Sequence, residues 1–136
     1  MKKEDIIVRN PFSTRPYEHV LELVVAYLMI AKTQYEDKQY AGNYNVGLDE
    51  TGCWTTGNLI TLFCQKWNEA IGDNVRWINK YDAGPHEANF LKLDCYKLKR
   101  TFGWSFRWNV ETTMEKIVEW TQVYLQGGNV AVYMEK

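Results

Sequence analysis

The 136 residues carry 16 Lys and Arg against 17 Asp and Glu, a net charge of -1, so no overall field draws the chain to nucleic acid or to an anionic membrane. The longest uninterrupted apolar run, residues 23–31, is far too short for a membrane span, and Met1-Lys2-Lys3-Glu4-Asp5 leads into no signal-peptide apolar region, which makes a cytoplasmic location the expectation. Three cysteines, Cys53, Cys64 and Cys95, form an odd set without a Cys-x-x-Cys spacing and argue against both a disulfide framework and a structural zinc site.

In chain order, Ile6-Ile7-Val8 reads as a short strand, and Pro11 and Pro16 hold Asn10 and Arg15 extended, because a residue before proline is pushed out of the helical region. A helix follows from Val20 to about Tyr35. Leu21, Val24, Val25 and Leu28 keep the 3.6-residue period, while Leu23, Ala26, Tyr27 and Ile30 make the helix apolar nearly all round, so that it expects cover on more than one side. Residues 43–46, between Gly42 and Gly47, read as a strand, and residues 48–52 as a loop.

A second helix spans residues 56–71, with Leu59, Ile60, Phe63, Cys64, Trp67 and Ile71 on its apolar face and Gly72 as its stop. Residues 75–78 form a strand, residues 79–89 a loop and residues 91–93 an extended segment. Asp94 caps a short helix that Gly103 ends. Asn109 or Thr112 opens the last helix, whose buried stripe is Met114, Ile117, Val118, Thr121, Tyr124 and Leu125, ending at Gly127-Gly128. The pattern is α/β with short strands and about four helices, read as a single domain over 1–136.

Three stretches carry chemistry. Arg9-Asn10-Pro11-Phe12-Ser13-Thr14-Arg15-Pro16-Tyr17-Glu18-His19-Val20 offers a guanidinium, whose planar fork grips two phosphate oxygens, on a segment that the following proline keeps extended. Gly84-Pro85-His86-Glu87-Ala88-Asn89-Phe90-Leu91-Lys92-Leu93-Asp94 puts a histidine behind a rigid, close-approach backbone. Gly103-Trp104-Ser105-Phe106-Arg107-Trp108-Asn109-Val110-Glu111-Thr112 leads into the final helix. An isolated Arg-Pro or a lone loop histidine is ordinarily a surface residue, and a glutamate such as Glu87 is as readily a solvated one. The settings of Arg15 and His86 favour ligand contact. Most of the six tryptophans read as packing residues rather than as a sugar-stacking surface, with Trp54 and Trp77 unassigned.

Together the three stretches resemble the C-terminal, substrate-binding part of the nucleotide-sugar 4,6-dehydratases in the NAD-dependent epimerase/dehydratase group of extended short-chain dehydrogenases, in particular those acting on CDP-glucose. The resemblance spans essentially the whole chain. It implies that Arg15 and His86 reach the nucleotide diphosphate, that Glu87 accepts hydrogen bonds from ribose or base, and that Lys92 or Lys80 takes the place of an arginine the family often carries where Asp82 and Ala83 stand. Tyr17 and Glu18 stand in place of the usual Trp and Gln, and Phe106 in place of the usual proline, which marks a divergent member.

The superfamily holds NAD on a Gly-x-x-Gly-x-x-Gly turn at a helix N-terminus and oxidises the sugar with a tyrosinate that has a lysine four residues on. Neither pattern occurs in this sequence. The resemblance therefore implies NAD for the parent enzyme, no cofactor-binding or catalytic residue in this chain, and inactivity of the chain alone. The expected partners are a nucleotide sugar and either a second copy or a separate Rossmann-containing polypeptide. A non-catalytic nucleotide-sugar-binding module or a structural partner subunit is the alternative.

Overall fold

The structure is a computed structural model in which residues 4–48, 52–80 and 88–135 are described. Ten elements follow in order: β1 (Ile6–Val8), β2 (Thr14–Pro16), α1 (Val20–Glu36), a 3-10 turn (Lys38–Tyr40), β3 (Cys53–Thr55), α2 (Thr56–Ile71), β4 (Trp77–Asn79), α3 (Tyr96–Phe102), α4 (Val110–Leu125) and α5 (Val130–Met134). The strands form two small sheets. β1 pairs in parallel with β4, placing Ile7 against Ile78, and β2 pairs antiparallel with β3, placing Arg15 against Trp54. The architecture is mixed α/β, as the sequence pattern predicts.

Helix boundaries follow local chemistry. Thr55 caps α2 by accepting from the Asn58 N–H, and Gly72 ends it at φ 70, a left-handed conformation that a side chain disfavours. The same device ends α3 at Gly103, φ 63. Asn109 rather than Thr112 opens α4, its Oδ1 accepting from the Thr112 N–H at 2.8 Å. Asp94 accepts from the Tyr96 N–H at 2.9 Å, one residue outside the N-cap of α3, which is Cys95. α5 follows the Gly127-Gly128 turn, with Asn129 as its cap.

Two apolar clusters organise the interior. Leu48, Leu59, Val110 and Met114 join α2 to α4, with Tyr17, Trp54 and Phe63 packed around them. Ala26, Val46 and Leu98 join α1 to α3, with Leu23, Ile30, Tyr44 and Phe102 around them. Phe106 packs against both clusters and bridges them.

Three expectations change. α1 is rotated relative to the predicted stripe: Ala26 is buried and Leu23 and Ile30 pack inward, whereas Val24 is 42% and Leu28 66% exposed. A helix apolar on all sides has no periodicity strong enough to set its own rotation, so the close approach permitted by Ala26 against Leu98 decides it. Residues 43–46 lie extended yet take part in no backbone–backbone hydrogen bond among the described residues, so they are not a strand. Tyr124 and Leu125 are exposed, because α4 outruns its packing against α2; Tyr124 instead stacks on Trp120, with ring centroids 5.5 Å apart.

Leu98 is fully buried at the centre of the second cluster. Leu98→Ala is expected to destabilise the fold by about 2–5 kcal/mol, read from urea unfolding, because the surrounding helices cannot collapse fully onto the cavity.

Candidate functional site

The first motif is held by the N-terminus of α2. The Thr56 N–H donates to the Ser13 carbonyl at 2.9 Å and the Gly57 N–H to the Pro11 carbonyl at 2.8 Å, so the loop before β2 satisfies donors that a helix start leaves without intrahelical partners. Gly57 allows this approach: a Cβ there would meet the Pro11 carbonyl oxygen at 3.1 Å. Thr56 Oγ1 lies 2.9 Å from the Ser13 hydroxyl and 2.7 Å from the Tyr17 hydroxyl, locking both ends of β2 to one side chain.

β2 is the middle of three rows. β3 flanks it on one edge; on the other, the Thr14 N–H donates to the Asn89 carbonyl at 2.9 Å and the Leu91 N–H to the Thr14 carbonyl at 3.1 Å. Residues 89–91 of the second motif are thereby docked beside Thr14, the residue before Arg15. The third joins from the far side, where Trp108 meets the His19 ring edge-on at 4.9 Å and the Arg107 N–H donates to Glu22 Oε1 at 3.3 Å. Three stretches remote in sequence thus converge on the joint between β2 and α1.

Arg15 is half-buried, on the face of β2 it shares with Trp54, and its Nη1 donates to the Thr14 carbonyl at 2.9 Å. Lys92 Nζ sits 5.1 Å from the centre of the Phe90 ring. Lys92 also lines a cavity of about 260 Å³ between Leu48 and Cys53 on one side and Leu93, Cys95 and Lys99 on the other, a cavity whose lining does not include Arg15. His86 and Glu87 lie outside the described residues.

Two acidic residues escaped the sequence reading. Glu22 is 6% exposed in the first turn of α1, and Glu18, just before the His19 cap, has a buried Oε2 without a hydrogen-bond partner. Burial, aided by the charge of Glu22, pushes the Glu18 carboxyl up to about 7. His19 moves the other way: burial lowers its imidazole, partly offset by Glu22, and Nδ1 accepts from the Leu21 N–H at 3.2 Å. Burial likewise raises the Cys95 thiol, with the nearby Glu18 adding to it. The only signal for the pair in the sequence was Glu18 standing where the related motif carries a neutral residue.

Four of the described glycines serve helix ends. Gly57, in the first turn of α2, is closed off by Pro11, while Gly72, Gly103 and Gly127 take left-handed conformations at helix C-termini. Among the described residues no group of three or more His, Cys, Asp or Glu is placed to hold a metal ion, and no helix is long and apolar enough to cross a membrane.

A CDP-glucose 4,6-dehydratase of Salmonella typhimurium (strain LT2) is 32% identical over 130 residues, a match covering 95% of this chain and 35% of that protein. In fold, the chain matches a Stenotrophomonas maltophila UDP-glucose-4-epimerase solved with NAD and formylated UDP-arabinopyranose, at TM-score 0.71 and 17% identity over 91% of this chain and 37% of the other. The chain corresponds to one part of the nucleotide-sugar dehydratase and epimerase fold. A Bifidobacterium longum UDP-glucose 4-epimerase solved with NAD+ and UDP matches at TM-score 0.66 and 15% identity, over 91% of this chain and 36% of that one. The chain thus spans about a third of the length of the relatives it matches. No protein-family profile matches it.

The architecture of this site makes Thr56 its hub. Thr56→Val, which keeps the shape and removes the hydroxyl, is expected to cost about 1–3 kcal/mol by leaving the Ser13 and Tyr17 hydroxyls short of a partner. Combining it with Tyr17→Phe in a double-mutant cycle is expected to give less than the sum of the two single effects.

Proposed function

We propose that this chain, as a single domain over 1–136, is the C-terminal substrate-binding part of a nucleotide-sugar 4,6-dehydratase and takes a CDP-sugar, CDP-glucose in the first instance. The observation that carries the reading is that the second motif's residues 89–91 and the third motif's Arg107 and Trp108 both meet the first motif and the helix turn it leads into, on either side of Arg15; the 32% identity to a CDP-glucose 4,6-dehydratase supports the choice of nucleotide sugar. Arg15 grips the diphosphate through donors in a fixed planar fork, on a strand paired with β3 along one edge and bonded through Thr14 to residues 89 and 91 along the other. His86 completes the diphosphate site, Glu87 meets the ribose or base, and Lys92 adds positive charge from the neighbouring row.

The parent reaction is a lyase step in deoxysugar formation: carbon 4 is oxidised, water is eliminated and hydride returns to carbon 6. NAD supplies the hydride acceptor in the parent enzyme, and the chemistry belongs to residues outside this chain. The isolated chain binds and does not turn over. Cys53, Cys64 and Cys95 form no disulfide with one another, which suits a cytoplasmic setting.

The remaining part of such an enzyme has a place to dock. α1 presents Val20, Val24, Tyr27, Leu28 and Tyr35 outward, and residues 43–48 beside it take part in no backbone–backbone hydrogen bond among the described residues. An apolar helix followed by an unpaired extended segment is the complement of an open α/β sheet, which supplies both an apolar face and an edge. We assign that role to the part of such an enzyme that lies outside the matched third of the relatives.

Arg15→Ala is expected to weaken CDP binding by roughly 1.5–3 kcal/mol in calorimetry, the value of a hydrogen bond to a charged group; unchanged affinity would return Arg15 to an ordinary surface role. If CDP-glucose fails to raise the melting temperature of the wild-type chain at all, the structural-subunit alternative takes over. With NAD and CDP-glucose supplied, the chain alone is expected to form no 4-keto-6-deoxy sugar. Co-expressed with the part of the Salmonella relative that it does not match, it is expected to co-purify, and Val24→Glu with Leu28→Glu to abolish the association. A chain that stays a stable dilute monomer in that mixture, by light scattering, would exclude the docking.

A further inference from the structure

Glu18 occupies an unusual position for a carboxyl group. It leaves β2 two residues after Pro16 and immediately precedes His19, the N-cap of α1, so its side chain sits in the joint between the strand carrying Arg15 and the longest helix. The side chain is half-buried, and its Oε2 is sealed from solvent with no hydrogen-bond partner among the described residues. A carboxylate oxygen placed this way loses hydration without replacement, a cost that the neutral acid largely avoids.

The groups around the joint sharpen the conflict. From α1 comes Glu22, itself buried and already accepting from the Arg107 N–H, and next to it His19, whose ring is fixed by the Leu21 N–H and by Trp108. Cys95 lies close enough for the Glu18 charge to act on its thiol, and Asp94 and Lys99 act on that same thiol with opposite signs. The two influences on Glu18 itself are burial and the Glu22 charge, both of which oppose ionisation. Proximity to the start of α1 favours a negative charge there, and Glu22, inside the first turn, already meets that preference.

We propose that Glu18 is a proton-dependent latch at the β2–α1 joint: it seats in its buried position as the neutral acid and leaves it on ionising, loosening the first turn of α1 and the exit of the strand that carries Arg15. The latch makes this joint a pH-sensitive element close to neutrality, independent of whichever ligand the neighbouring site takes. The sign follows from proton counting. The folded chain keeps a proton that the unfolded chain gives up near the ordinary carboxylate value of 4.5, so stability falls as pH rises from there to about 7 and levels off above it.

The test needs no nucleotide and therefore stands or falls separately from the functional reading. Carbon-detected NMR of the Glu18 carboxyl, melting temperature from pH 4.5 to 9, and amide exchange at Leu21 and Glu22 are measured for the wild-type chain, Glu18→Gln and Glu22→Gln. The Glu18 carboxyl is expected to titrate near 7, the wild-type melting temperature to decline by several degrees over the rising limb of that titration, and exchange at the two amides to accelerate above it. Glu18→Gln is expected to flatten the dependence and to melt higher than wild type at pH 8, and Glu22→Gln to move the Glu18 midpoint down. Titration of Glu18 near 4.5, or a melting profile in Glu18→Gln parallel to that of wild type, would overturn the latch.

Discussion

The arrangement around β2 depends on one hydroxyl. Thr56 ends the chain's path through β3 and begins α2, and its Oγ1 sits within hydrogen-bond distance of Ser13 and Tyr17, on either side of β2. A three-residue strand cannot hold a register by its own ladder bonds; it becomes a fixed platform because a helix start, a side-chain hub and a neighbouring row all bind the same few residues. Everything assigned to Arg15 rests on that platform. So does the docking of residues 88–91, whose alignment is set by two backbone bonds to Thr14.

Around this platform the chain spends its polar groups unevenly. The donors at the start of α2 are met by the carbonyls of Pro11 and Ser13, and the Arg107 N–H by Glu22, while Glu18, a few residues from each of these, keeps an oxygen without any donor. Most buried polar groups in folded chains find partners, so an exception beside β2 carries information. Here the exception and the adjacent Glu22 charge act in the same direction, toward retaining a proton, whereas His19 is pressed by burial to stay neutral.

The apolar surface is uneven in the same way. Phe106 welds two clusters into one interior, yet α1 turns only part of its apolar circumference toward it. Ile7 and Ile78, paired across β1 and β4, are also partly exposed, although two-stranded parallel sheets are rarely left uncovered. Such faces are common where a chain forms one part of a larger fold, in agreement with the length of the relatives it matches.

Local chemistry was legible in the sequence. The span of α2, its apolar face with Cys64, the stop at Gly103 and the extended backbone at Arg15 all follow from residues within a turn or two of each other. The motifs that resemble a nucleotide-sugar enzyme were equally visible, because they are contiguous strings. What the tertiary structure alone decided are the quantities that depend on partners remote in the chain. The rotation of α1 was undecidable from a helix apolar on every side and was set by Ala26 meeting Leu98; the segment 43–46 has strand composition, but a strand exists only where another backbone lies beside it. The state of Glu18 belongs to the same class, since a carboxyl group's proton affinity is fixed by what surrounds it in space, and nothing in the sequence buries its Oε2 or brings it near Cys95.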